Sequence, residues 1–210
     1  MNMLSSSTDL PEKGREWLNR KSLHTLQILD EVATGKSLTQ RDLSNKLGIA
    51  LGMTNNYLKR LAREGYIQII QAERKRLHYL LTPKGLAEKS ALTYRYIRRS
   101  YQFFTDARRK LEAYFLDLEK AGVRSIVLYK ATVIAEIAVL VLQTGSIQLL
   151  AIIDDSVAGR TFLGYGIEPI QALTELKFDR VLVTTEYTPE EIFEILGRTG
   201  VPKEKICFLQ

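Results

Sequence analysis

The thirty residues from Leu38 to Ile67, LTQRDLSNKLGIALGMTNNYLKRLAREGYI, constrain this chain more than any other stretch. Their apolar spacing predicts two short amphipathic helices joined by a tight turn and followed by a sharp stop. The first opens on Thr39, with Asp42 three residues on as an imperfect capping box, and sets Leu43 and Leu47 on one face. Gly48 and Ile49 make the turn. The second, from about Leu51 to Glu64, aligns Thr54, Leu58 and Leu61 as a buried stripe, and Gly65 is its natural stop. The opposite face carries Asn55, Asn56, Lys59, Arg60 and Arg63, and no carboxylate interrupts it before Glu64.

A short helix with amides near its start and cations further along has the chemistry of a major-groove reader. Amides bond base edges bidentately, while Lys and Arg take phosphates. The flanking residues fit the same picture. Leu23, Leu26, Ile28, Leu29 and Val32 predict a supporting helix over 22–34 that ends at Gly35. After the reading helix, Tyr66–Ile70 and Leu77–Leu81 read as two strands around a charged turn, a β-hairpin whose tip holds Arg74, Lys75 and Arg76. Cations at such a tip suit phosphate or minor-groove contact. In this order the elements resemble a winged helix-turn-helix regulator of the MarR type, over roughly residues 22 to 85. The expected DNA contacts are Thr39 and Gln40 at the start of the second helix, Asn55, Asn56, Lys59 and Arg60 on the reading helix, and Arg74, Lys75 and Arg76 on the wing.

The charge distribution points the same way. Residues 1–121 hold 22 basic and 13 acidic side chains, whereas residues 122–210 hold 8 and 11. A basic half joined to an acidic half is expected when one of them meets a polyanion, although a basic surface also serves solubility. The single cysteine, Cys207, excludes a disulfide framework, and with His24 and His78 it makes no metal cluster; it reads as a small buried hydrophobe. His24 reads as a partly exposed helix residue. The chain lacks an 18-residue uncharged stretch and a signal-like start, so a cytoplasmic protein without membrane contact is expected.

Residues 1–21 mix Ser, Thr, Pro and charge, and read as a flexible arm with at most one turn near Trp17. Thr82-Pro83 opens a helix that meets no further Pro and no Gly beyond Gly85 until Gly122. Its 86–121 portion is expected to be a helical connector, broken near Ser90–Tyr94, whose apolar and aromatic stripe needs a partner. In regulators of the resembling type, helices outside the winged domain build a homodimer, and a two-fold dimer matches two DNA half-sites.

From Gly122 on, strands and helices alternate: Ser125–Tyr129, Ile147–Ile153, Arg180–Thr184 and Lys205–Leu209 as strands, Thr132–Gln143, Pro169–Leu176 and Pro189–Leu196 as helices. That alternation predicts a mostly parallel sheet in a half-Rossmann arrangement. In a dinucleotide fold the first strand leads into a Gly-rich phosphate turn, and an acid after the second strand takes ribose hydroxyls. Here the turn reads YKATVIAE, with Lys130 and Thr132 at the glycine positions, and Asp154 stands where the ribose acid belongs, followed by Asp155. The segment resembles the small Rossmann-like domain at the front of bacterial sugar acyltransferases, and the two-domain order is similar to that of the redox-sensing Rex repressors. The resemblance implies a nucleotide or nucleotide-sugar effector held by Lys130, Thr132, Asp154 and Asp155. The duller reading of the two acids is that they follow a buried strand because the chain re-enters water.

The expected fold is therefore α/β with two domains: a winged helix-turn-helix at 22–85 and a small parallel-sheet Rossmann-like domain at 122–210, joined by a long helical connector. The expected function is a sequence-specific, double-stranded-DNA-binding, homodimeric transcriptional regulator, not an enzyme. Polysaccharide or cell-envelope genes are its implied targets, and the second domain senses a small molecule or mediates assembly. The alternatives are a nucleotide-sugar-related enzyme and a protein-binding adaptor.

Overall fold

The computed structural model describes residues 20–35, 38–71 and 77–209. The chain divides into two compact units, residues up to Tyr101 and residues from Gln102. The expected arm lies outside the described residues except for Arg20 and Lys21, which begin the first helix.

The first unit contains α1 (Arg20–Ala33), α2 (Gln40–Leu47), α3 (Leu51–Arg63), the strands β1 (Ile67–Gln71) and β2 (Leu77–Leu81), and the first part of α4 (Pro83–Lys120). The capping box on α2 is complete: the Asp42 amide donates to the Thr39 hydroxyl, and the Thr39 amide donates to the Asp42 carboxylate at 2.9 Å. Those bonds from Thr39 also hold the Asp42 carboxyl below its ordinary range. Gly48 ends α2 in the left-handed conformation, φ 62°, as a short turn into α3 requires. Leu26, Ile28, Leu29 and Val32 of α1, Leu43 of α2, and Leu58 and Leu61 of α3 form one core, closed by Ile67, Tyr79 and Leu92. The hairpin pairs antiparallel with Ile67 opposite Leu81 and Ile69 opposite Tyr79. Thr82 accepts the Gly85 amide at 2.9 Å and so opens α4. Gly85 is obligatory there, because a Cβ would lie 1.9 Å from the Tyr66 carbonyl oxygen.

The second unit is a six-stranded sheet built from β3 (Ser125–Tyr129), β4 (Gln148–Ile153), β5 (Thr161–Phe162), β6 (Tyr165–Glu168), β7 (Arg180–Val183) and β8 (Ile206–Phe208), in the order β5-β6-β4-β3-β7-β8. All neighbours are parallel except the β5–β6 edge pair. Both faces are covered, as parallel sheets demand. On one face the apolar helix α5 (Val133–Leu142) and the last part of α4, through Leu111 and Phe115, pack on Ile126, Leu128, Ile152 and Leu182. On the other, Ile192 and Leu196 of α6 (Pro189–Gly197), with Leu173, Phe178 and Val201, pack on Val127, Ile153 and Val181. Cys207 is buried among the first set.

Three sequence expectations are corrected. The helix expected over 86–121 has no break at Ser90–Tyr94: α4 is one unbroken helix of 38 residues. Its first part joins the core of the first unit through Leu92, and its last part is a layer of the second. The expected helix at Pro169–Leu176 is a single 3-10 turn, Ile170–Thr174, held by i→i+3 bonds from Ala172 to Pro169 and from Glu175 to Ala172. The β5–β6 hairpin had no counterpart in the predicted elements. The basic excess follows the structural division, with 18 basic and 9 acidic residues up to Tyr101 against 12 and 15 beyond it.

Candidate nucleic-acid interface

α3 is fixed from below and bare above. Thr54, Leu58 and Leu61 are fully buried, and the Thr54 hydroxyl returns to the Ala50 carbonyl. With one side of the helix so committed, the other presents Gly52, Asn56, Lys59 and Arg63, all exposed, with Asn55 half-buried at its flank. No carboxylate lies anywhere along Leu51–Arg63 to repel a phosphate or occupy a lysine.

The predicted contact residues divide by what else they hold. Asn56 and Lys59 are exposed, and Thr39 is exposed while capping α2. Gln40 is half-buried, and its side-chain amide donates to the Tyr79 hydroxyl at 3.3 Å, tying α2 to the hairpin. Arg60 is committed inward. Its guanidinium donates to the Thr25 hydroxyl at 2.7 Å and lies 5.0 Å from the centre of the Tyr57 ring. Tyr57 in turn shares a 3.2 Å hydrogen bond with His24 Nδ1, their rings edge to face. Arg60, Tyr57, His24 and Thr25 thus form a polar clamp between α3 and α1. The sequence gives no local signal for it, since its partners lie 33 and 35 residues apart. Arg74, Lys75 and Arg76 lie outside the described residues.

The second predicted site comes together, but on itself. Lys130 follows β3 with φ 82°, the conformation that a glycine at this position would adopt without strain. Its ammonium donates to Asp154 at 3.0 Å and lies 5.4 Å from the Tyr129 ring centre; the two paired side chains are 17% and 7% exposed. Asp154 also accepts from the Ala131 amide and from the amide and hydroxyl of Ser156. Burial pushes the Asp154 carboxyl up, but the bonds from Ser156, Lys130 and Ala131 outweigh it and hold it below its ordinary value. Burial likewise pulls the Lys130 ammonium down, and Asp154 more than restores it. Thr132 caps α5 by accepting from the Ala135 amide and donates to the Thr184 carbonyl at 2.6 Å. Asp155 is exposed and accepts from the Ile170 amide at 2.9 Å, so it anchors the 3-10 turn. The acids therefore do more than re-enter water, because Asp154 is the hub of the β3 and β4 ends. Among the described residues, no cluster of His, Cys, Asp and Glu could hold a metal ion, and no helix is long and apolar enough to cross a membrane.

Residues 21–68 match the family described as winged helix-turn-helix DNA-binding, and residues 123–207 match the family described as C2185-like, N-terminal. No curated protein matches the chain. Among solved structures, a point mutant of MepR from a multidrug-resistant S. aureus clinical isolate is 27% identical over 36% of this chain, with a TM-score of 0.31. The match spans 54% of that mutant's own length. The PcaV transcriptional regulator from Streptomyces coelicolor is 19% identical over 52% of this chain and 86% of its own, with a TM-score of 0.41. A complex of S. aureus MepR with DNA is 20% identical over 52% of this chain and 86% of its own, with a TM-score of 0.37. The winged helix-turn-helix identity of the first unit rests on the family match together with its element order and hairpin.

Proposed function

We propose that this chain is a double-stranded-DNA-binding transcriptional regulator of the MarR type. The observation that carries the reading is the outward face of α3, polar and basic, free of carboxylates, and held rigid from below by fully buried side chains. Asn55 and Asn56 read base edges. Lys59, with Arg63 added to the residues expected from the sequence, takes phosphates, and Thr39, Gln40 and the wing cations Arg74, Lys75 and Arg76 complete the footprint. Arg60 orients α3 through Thr25 and Tyr57. The protein acts as a cytoplasmic homodimer. Leu86, Tyr94 and Ile97 lie on one side of α4 and are more than half exposed, an apolar stripe fitted to a second copy.

The second unit has the parallel order β6-β4-β3-β7-β8, which is the third-second-first-fourth-fifth order of doubly wound nucleotide folds, and this supports a Rossmann-like ancestry. The closure of Lys130 on Asp154 favours assembly over nucleotide sensing as its present role. Polysaccharide or cell-envelope genes remain the proposed targets, through the resemblance to nucleotide-sugar domains.

Fluorescence anisotropy of the full chain on duplexes selected by the protein from a random pool tests the reading. Saturable binding should weaken steeply with salt, and Lys59→Ala should reduce the salt slope by about one unit while Asn55→Ala/Asn56→Ala relaxes sequence preference. Weak, salt-insensitive binding by all forms would refute it.

A further inference from the structure

Gly52, the second residue of α3, is a glycine for which the fold has no use. Its backbone is not in the left-handed region, and a Cβ placed on it would meet nothing within 4 Å. Gly85 shows the opposite case, where the chain's own carbonyl forbids a side chain. Glycine weakens a helix relative to alanine, so a glycine in open space on a helix is a local loss without a local return. The residues around it deepen the anomaly. Leu51 and Met53 are 43% and 48% exposed, apolar side chains flanking a bare position on a surface that is otherwise amide and cation. One turn on stands exposed Asn56, and below the turn Thr54 is fully buried, so the backbone at Gly52 is held in place rather than loose.

On the carboxylate-free face of α3, clearance at an exposed backbone position serves a body that comes from outside. The major groove of duplex DNA offers such a body, and it carries a single apolar feature, the thymine C5-methyl group. We propose that Gly52 is the point of closest approach between α3 and the DNA, and that Leu51 and Met53 pack on thymine methyls beside it, so that each half-site carries thymine beneath the first turn of α3. This inference rests on the DNA-binding reading and adds to it the residue that sets docking depth and the base that the first turn selects.

The test uses the full chain and duplexes that it selects from a random pool. Gly52→Ala should raise Tm, because alanine is the better helix former and has room, and should weaken binding to the selected duplex by at least about tenfold through overpacking. Stability and affinity thus move in opposite directions, which a folding defect cannot imitate. Independently of any variant, replacing the thymines beneath the turn by deoxyuridine removes only the methyl groups and should weaken wild-type binding about fourfold per contacted methyl. Met53→Gln should abolish the part of that difference that comes from the methyl under Met53 and leave the part under Leu51. If Gly52→Ala binds as tightly as wild type, or if deoxyuridine matches thymine at every position of a duplex that is still bound with sequence preference, this inference fails and the regulator reading stands. If no duplex is selected and binding is not saturable, both fail together.

Discussion

Replacing Asp154 by Asn isolates what the Lys130–Asp154 pair contributes. The ammonium and carboxylate are 3.0 Å apart and 17% and 7% exposed. At that separation, with an effective dielectric of about 20, the gross attraction is about 5 kcal/mol, and most of it offsets the desolvation of two ions. Removing one partner is a different matter, because the ammonium then remains without its counter-charge, a change that costs about 3–5 kcal/mol for a buried pair. Lys130 keeps some access to water, and the one carbonyl oxygen of the introduced amide can still accept from the Ser156 amide and hydroxyl, though no longer from Ala131 as well, so about 3 kcal/mol is expected. Lys130→Met should cost less, about 1–2 kcal/mol, since Asp154 retains three donors. The double variant should be more stable than the sum of the single losses predicts, because no ion is left unpaired. Hydrogen exchange of the β3 and β4 amides reads the second unit by itself, and Asp154→Asn should accelerate it about a hundredfold. A change below about threefold, or additive single effects, would refute the claim that this pair closes the sheet edge.

The same pair fixes a pH window. Asp154 titrates below its ordinary value of 3.8, so its contribution is present above that value and lost as pH falls through the lowered one. Lys130 titrates above its ordinary 10.5, so its contribution is complete below that value and lost as pH rises through the raised one. The stability gap between wild type and Asp154→Asn should be flat between about pH 5 and 9 and shrink on either side, as urea unfolding would record. Arg60→Met should lower the stability of the first unit by about 1–2 kcal/mol through loss of the Thr25 bond and the Tyr57 contact. It should weaken DNA binding without changing its salt slope; a slope reduced by about one unit at unchanged Tm would make Arg60 a phosphate contact instead.

The first unit was legible in the sequence because its signals are local. Thr39 with Asp42, the glycines at 48 and 65, and the Thr54-Leu58-Leu61 stripe are each specified within a few residues, and each appears where its spacing puts it. What local spacing cannot carry is which of two cations on one helix face points outward. Lys59 and Arg60 are adjacent in sequence, yet Arg60 bends to Thr25, a partner set by the packing of α1. The β5–β6 hairpin was illegible for a related reason. Its turn residues Leu163 and Gly164 both have positive φ, as the hairpin turn with the tightest twist requires, but leucine stands where asparagine or glycine would have announced it. α4 misled in the other direction. Its periodicity is continuous, and only the tertiary contacts divide it between two cores.

The occupied edge of the second sheet sets a condition on any effector that binds there. In a dinucleotide fold the acid after the second strand is left open for ribose hydroxyls. Here Asp154 has four donors from its own chain, and Lys130 holds the strained backbone that a phosphate-binding glycine would leave relaxed. A neutral ligand gains little from that arrangement, because the ammonium and the carboxylate it meets are already paired with each other. An anionic ligand differs, since it can take the Lys130 ammonium from Asp154, but it then leaves a buried carboxylate with only neutral donors. Net binding requires the ligand to replace both charges at once, an anion for Lys130 and a donor-rich group for Asp154, as a nucleotide with phosphate and ribose does. Without a ligand that meets both demands, the edge stays shut, and the unit's folded surface rather than its crevice is what another molecule encounters.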